Sequence, residues 1–209
     1  MSKKILVTGF GPFLQNTVNP TEKIIESLMQ DETLTAICDF AVLPVEFERS
    51  VELVKEKINL QSSRASFQSS SEEYKAVLLL GLAAGREKIC LERVGLNWLE
   101  TESADVSGFL PKRGFIHEAG PQALFTGLDI NHFVFELKNK NIPVEVSLSA
   151  GGYVCNHLYY NTLKHFGDRV LFVHVPNLPE FDLSPDRSKS LSLETMLEAT
   201  RFLISRMIL

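Results

Sequence analysis

Positive charge is in short supply in this sequence: 21 lysines and arginines face 26 aspartates and glutamates, for a net charge of -5. A chain of that balance has no surplus cation to neutralise a phosphate backbone or an anionic bilayer, so neither nucleic acid nor membrane is expected as a partner. Long hydrophobic runs are missing as well. The first apolar run follows two lysines and ends at Gly9, too brief for a signal-peptide core or a membrane span. The cytoplasm is the expected compartment. Cysteine is scarce, and the three residues present, Cys38, Cys90 and Cys155, are odd in number and widely spaced. That pattern fits neither a disulfide framework nor a zinc-ligand spacing, so free thiols are expected and no metal or other cofactor is called for. Internal repeats are lacking too.

What is present is an ordinary globular composition, 44% apolar and 22% charged over 209 residues. This length suits one domain spanning residues 1–209. Apolar runs of strand length alternate with segments of helical period, which predicts an α/β fold: a three-layer α/β/α sandwich around a mostly parallel sheet. Strands are expected over Lys4 to Thr8, Ile37 to Val45, Ala76 to Leu80, Val144 to Ser149 and Val170 to Val175. Helices are expected from the cap Asn19 with Pro20 and Glu22, over Phe47 to Leu60, from Asp129, over Cys155 to Phe166, and from Ser192. Gln61 to Glu73 turns abruptly to serine and glutamine, the composition of a surface loop or frayed helix end. Glu100 to Gly120, polar and glycine-punctuated, reads as excursions over one edge.

The strongest chemical signal is Ser149-Ala150-Gly151-Gly152-Tyr153-Val154-Cys155-Asn156. Two glycines between a strand and a helix permit a sharp turn that presents Cys155 at the helix start. Unpaired N–H groups and the positive end of the helix dipole are expected there to lower the thiol pKa and to receive an oxyanion. A buried, inert thiol is the competing reading for Cys155, and it is the preferred one for Cys38 and Cys90, which lie in apolar stretches without glycine turns.

A cysteine nucleophile needs a base, and the base needs a group that fixes its tautomer. Of the five histidines, His174 is favoured because it ends a strand, where an open α/β sheet forms its crevice. His157 and His165 lie along the helix from Cys155, His132 on an amphipathic helix and His117 in the polar excursion, so structural roles suit them better. An acid is expected near the same edge. Glu92, between Leu91 and Arg93, is a candidate that spacing alone does not separate from Glu87 or Glu100.

Three distant segments together resemble the pyroglutamyl peptidase I family. They are Val7-Thr8-Gly9-Phe10-Gly11-Pro12-Phe13 with Asn19-Pro20, then Gly81-Leu82-Ala83-Ala84-Gly85-Arg86 through Glu92-Arg93-Val94, then Ala150 to His157 with Phe172-Val173-His174-Val175-Pro176. The resemblance implies a cysteine peptidase that removes an N-terminal pyroglutamyl residue, with Cys155 as nucleophile, His174 as base and Glu92 as the acid of the triad. It implies a lactam pocket lined by Phe10 and Phe13, with Asn19 and the backbone of Leu82 contributing. A flat neutral ring suits such aromatic walls. It also implies a homo-oligomer, dimer or tetramer.

Some positions depart from the family pattern. Glu102 stands where the family usually carries an arginine near the active site, and Leu14-Gln15 stand where a Gly-Gly pair is common. Glu102 keeps open a related thiol amidase acting on another cyclic or capped amide. A catalytically silent binding homologue is a third reading.

Overall fold

The structure is a computed structural model that describes residues 4–13, 17–65, 74–182 and 188–209. The Leu14-Gln15 departure and most of the Ser/Gln-rich stretch lie outside the described residues. The central sheet has six strands in the order β2 (Cys38–Leu43), β1 (Ile5–Phe10), β3 (Ala76–Leu82), β8 (Val170–Val175), β4 (Ile89–Glu92), β7 (Val144–Ser147). Alternation along the buried strands sends Ile5, Val7, Leu78, Leu80, Leu171 and Val173 to one face. That face is covered by α1 (Pro20–Leu28), α4 (Ile130–Asn139) and α6 (Leu193–Met207). Leu6, Val77, Leu79, Val170 and Phe172 face α3 (Phe47–Ala65) and α5 (Val154–Phe166) on the other side. The three-layer α/β/α reading is therefore correct.

Within this six-stranded sheet all pairings are parallel except one. Strand β4 runs antiparallel to β8, with Cys90 opposite His174 and Glu92 opposite Phe172. β7 then pairs parallel with β4 at the sheet's edge. This reversal is invisible to local pattern, because an apolar strand reads alike in either direction. It decides the site, since it sets Glu92 opposite Phe172 and so diagonal to His174.

The predicted caps are present. Asn19 Oδ1 accepts from the Thr21 N–H at 3.0 Å, Asp129 Oδ1 from the His132 N–H at 3.1 Å, and Ser192 Oγ from the Thr195 N–H at 3.2 Å. Several elements were not anticipated, β4 among them. A short helix, α2 (Glu32–Ile37), precedes β2, capped by Asp31. A small two-stranded sheet, β5 (Val94–Leu96) with β6 (Ala123–Phe125), flanks the polar excursion. It is fastened to α5 by Asn156, whose side-chain amide donates to the carbonyls of Leu96 and Trp98 and whose Oδ1 accepts from the Leu96 N–H.

Candidate active site

The turn before α5 forms because only glycine fits it. Gly151 has φ of +83°, and a Cβ on Gly152 would stand 2.5 Å from the carbonyl oxygen of Glu100. The Gly152 carbonyl in turn accepts from the Glu100 N–H at 3.1 Å, so the turn is pressed against the 100–104 segment. Helix α5 then starts at Val154 without a side-chain cap, which leaves its first backbone N–H groups open for a ligand.

Cys155, on the first turn of α5, lies over the sheet face that carries His174. Its Sγ would be 3.1 Å from a Cβ placed on Gly81, and Gly81 is the register partner of His174 on the adjacent strand. Neighbouring strands are about 4.8 Å apart, so sulfur and imidazole are brought to one place on one face. Gly81 belongs to β3, just beyond the strand expected over Ala76 to Leu80, and its missing side chain is the space that the sulfur occupies. A glycine within an apolar strand signals such a close approach, and that signal went unread.

His174 is almost fully buried and packs its ring 4.8 Å from that of Phe172. Its Nδ1 lies 2.8 Å from Oε1 of Glu92, which is fully buried. Burial pushes the His174 pKa down despite the bond and charge of Glu92, so the resting imidazole is neutral at pH 7. A neutral ring beside a carboxylate donates from Nδ1, which leaves Nε2 with a free lone pair.

Glu92 has a second partner that sequence reasoning missed. Arg86 Nη1 donates to the same Oε1 at 2.9 Å, and Arg86 Nη2 donates to the Ser149 carbonyl at 2.9 Å. One guanidinium therefore ties the acid to the start of the cysteine turn. Arg93, the next residue along the chain, is engaged elsewhere and donates to Asn131 at 2.8 Å. The Glu92 backbone carbonyl accepts from the buried Tyr159 hydroxyl at 2.9 Å.

The expected lowering of the thiol pKa is corrected here. Burial pushes the Cys155 thiol up to about 12, the charge of Glu92 adds to this, and Arg86 and the residue's own backbone N–H oppose it. Desolvation of a sulfur seated on the sheet outweighs the partial charge at a helix head. The resting pair is thus a neutral thiol and a neutral imidazole.

A cavity of about 180 Å³ opens beside the sulfur, lined by Phe10, Phe13, Asn19, Leu82, Cys155 and His174, with Val45, Ala150 and Tyr153. Its wall is almost wholly apolar. Asn19 serves both as the cap of α1 and as a tie to the β1 loop, donating from Nδ2 to the Gly11 carbonyl at 2.9 Å. The remaining histidines are engaged elsewhere. His157 is buried on Phe47, its Nδ1 3.1 Å from that residue's carbonyl, and burial pushes its pKa down to about 4. His117 pairs with Asn161, His165 with Asn59 and His132 with Glu136. Cys38 and Cys90 are buried thiols, and burial pushes Cys38 up to about 12.

Comparison with known proteins agrees across the chain. A family model described as pyroglutamyl peptidase matches residues 3–208. The pyrrolidone-carboxylate peptidase of Thermosipho africanus is 36% identical over 201 residues, covering 94% of this chain and 92% of the relative. That of Thermosipho melanesiensis is 38% identical, covering 91% of each. Among solved structures, the pyroglutamyl peptidase I of Bacillus amyloliquefaciens superposes with a TM-score of 0.84 at 30% identity, covering 99% of this chain and 97% of that one. The pyrrolidone carboxyl peptidase of Thermus thermophilus gives 0.82 at 30% identity, over 97% of this chain and 99% of the other.

Proposed function

The chain belongs to the pyroglutamyl peptidase family, and on that premise we propose that it hydrolyses the amide joining an N-terminal pyroglutamyl residue to the rest of a peptide. The observation that carries this reading is a single apolar cavity bordered at once by Phe10, Phe13, Cys155 and His174, with Glu92 bonded behind the imidazole. Phe10 and Phe13 hold the flat faces of the lactam, and Asn19 and the backbone of Leu82 stand at its polar edge. A charged free amine would lose its hydration against these walls, so ordinary aminopeptidase substrates are rejected.

The neutral resting pair sets the order of proton movements. His174 Nε2 takes the Cys155 proton as the sulfur attacks the substrate carbonyl, and the carbonyl oxygen becomes an oxyanion facing the uncapped N–H groups of α5. Glu92 stabilises the imidazolium formed at that moment. The imidazolium then gives its proton to the departing amine, leaving a thioester on Cys155. His174 next deprotonates a water that attacks the thioester, and the sulfur leaves with a proton as free pyroglutamate departs. Every step uses this chain's own side chains.

We propose the cytoplasm as the working compartment, since a reduced thiol is needed at Cys155 and all three cysteines are free. We also propose a homo-oligomer, dimer or tetramer, for which the exposed Val106, Phe109, Leu110 and Phe115 of the excursion offer apolar surface.

Turnover of pyroglutamyl and alanyl aminocoumarin tests the reaction. Release from the first alone is expected, with loss in Cys155→Ser and slowed iodoacetamide labelling of Cys155 in His174→Ala. Equal rates on the two reporters would overturn the pocket assignment. A preference for some other lactam amide over the pyroglutamyl one would favour the thiol-amidase reading.

A further inference from the structure

On the proposed reading the cavity of about 180 Å³ takes one small ring, and the residue after the scissile bond would leave it past Cys155, towards the turn that carries the sulfur. That turn is crossed by the segment from Glu100 to Ala104. The segment is fastened at two points: the Glu100 N–H donates to the Gly152 carbonyl at 3.1 Å, and the Tyr153 hydroxyl donates to the Ala104 carbonyl at 2.8 Å. Tyr153 itself lines the cavity. Glu102 is the residue midway between the two fastenings, and Thr101 and Ser103 bond to each other across it, with the Ser103 N–H donating to Thr101 Oγ1 at 3.1 Å.

Three other charges nearby are engaged. Glu100 binds Arg113 at 3.1 Å and the Trp98 indole N–H at 3.0 Å. The Asp105 carboxylate accepts the backbone N–H groups of Phe47, Ser107 and Phe109. Arg86 is committed to Glu92 and Ser149. Among the described residues, Glu102 is exposed and enters no ion pair, which leaves its charge unneutralised in the segment that crosses the turn.

We infer that Glu102 is a specificity-determining residue, favouring peptides with a lysine or arginine immediately after the pyroglutamyl group over those with an aspartate or glutamate there. This rests on the pyroglutamyl-peptidase reading and adds the substrate's second residue to it. A solvent-exposed charge several ångströms from the passing side chain is partly screened. The preference for lysine over glutamate is accordingly modest, about three- to tenfold in kcat/KM at low salt.

The test uses three peptides, pyroglutamyl-Lys-Ala, pyroglutamyl-Gln-Ala and pyroglutamyl-Glu-Ala, with released pyroglutamate quantified by mass spectrometry. Each charged peptide is expressed relative to the neutral one within the same protein, so a general loss of activity in a variant cancels. Wild type is expected to favour lysine. Glu102→Gln should bring both ratios close to one, Glu102→Arg should invert them, and 0.5 M salt should shrink all of them by roughly the screening expected when the Debye length falls below about 5 Å. Equal ratios in wild type, or a lysine preference that survives in Glu102→Arg, would overturn the inference while leaving the peptidase reading intact. Failure of wild type to cleave any of the three would refute that reading, and this inference with it.

Discussion

Replacing Gly81 by alanine adds one methyl group at the most crowded point of the site. The new Cβ would stand 2.7 Å and 2.9 Å from two ring carbons of Phe172 and 3.1 Å from Cys155 Sγ. Carbon contacts settle near 3.5 to 4.0 Å, so the ring must retreat by about 0.8 Å or more. Phe172 is wholly buried between Tyr159 and His174, with nowhere to move without displacing one of them. Overpacking of this kind costs about 1–3 kcal/mol. For a chain of this size, about 2 kcal/mol lowers Tm by roughly 4–8 °C. A sulfur displaced by a large fraction of an ångström from its productive position should cost about a hundredfold in kcat/KM.

The double variant Gly81→Ala/Phe172→Leu separates cause from consequence, because leucine lacks the ring atoms that the methyl meets. Its loss of stability should be smaller than the sum of the single losses by about 1 kcal/mol. Thermal melts and pyroglutamyl-aminocoumarin turnover read both quantities. A Gly81→Ala protein that melts and turns over like wild type, or strictly additive losses in the double variant, would refute the claim that the bare glycine is the seat of the sulfur.

Arg86→Met leaves the buried Glu92 carboxylate without its cation, while its Oε2 has no hydrogen-bond partner among the described residues. Because the Arg86 side chain is 29% exposed, the loss is discounted to about 2 kcal/mol in denaturant unfolding, and kcat should fall with it; unchanged stability would show that the pair does not hold the acid. The pH dependence of stability has a definite sign. His157 is held neutral, with a pKa of about 4 against 6.5 when exposed, so the unfolded chain takes up protons first as pH falls. Stability is then complete above pH 6.5 and lost progressively down to pH 4, by about 2 kcal/mol at pH 5. Denaturant midpoints at pH 7 and pH 5 check this. His157→Gln should flatten part of the slope, and an undiminished slope in that variant would refute the assignment.

Much of the candidate site was readable because its signals are local. The Gly151-Gly152 turn, the helix that follows and the strand-end position of His174 depend on residues within a few positions of one another. Glu92 was not separable from other acids by spacing. Its place follows from the antiparallel pairing of β4 with β8, which sets it diagonal to His174 across two strands. Arg86 was present in a quoted motif without a task, since its partners lie 6 and 63 residues away. The thiol pKa was expected in the wrong direction. The helix start is visible in sequence, whereas the desolvation that outweighs it comes from β3, β8 and α5 packing together.

By itself the sequence determined the layered α/β plan, the capped helix starts and the turn that offers Cys155, because hydrogen bonds and side-chain periodicity within a few residues suffice for these. Only the tertiary structure decided the reversed β4, the Arg86 bridge from Glu92 to Ser149, the seat of the sulfur on Gly81 and the neutral state of the thiol. Each of those depends on which distant groups exclude water from one another, and that is settled by packing rather than by neighbours along the chain.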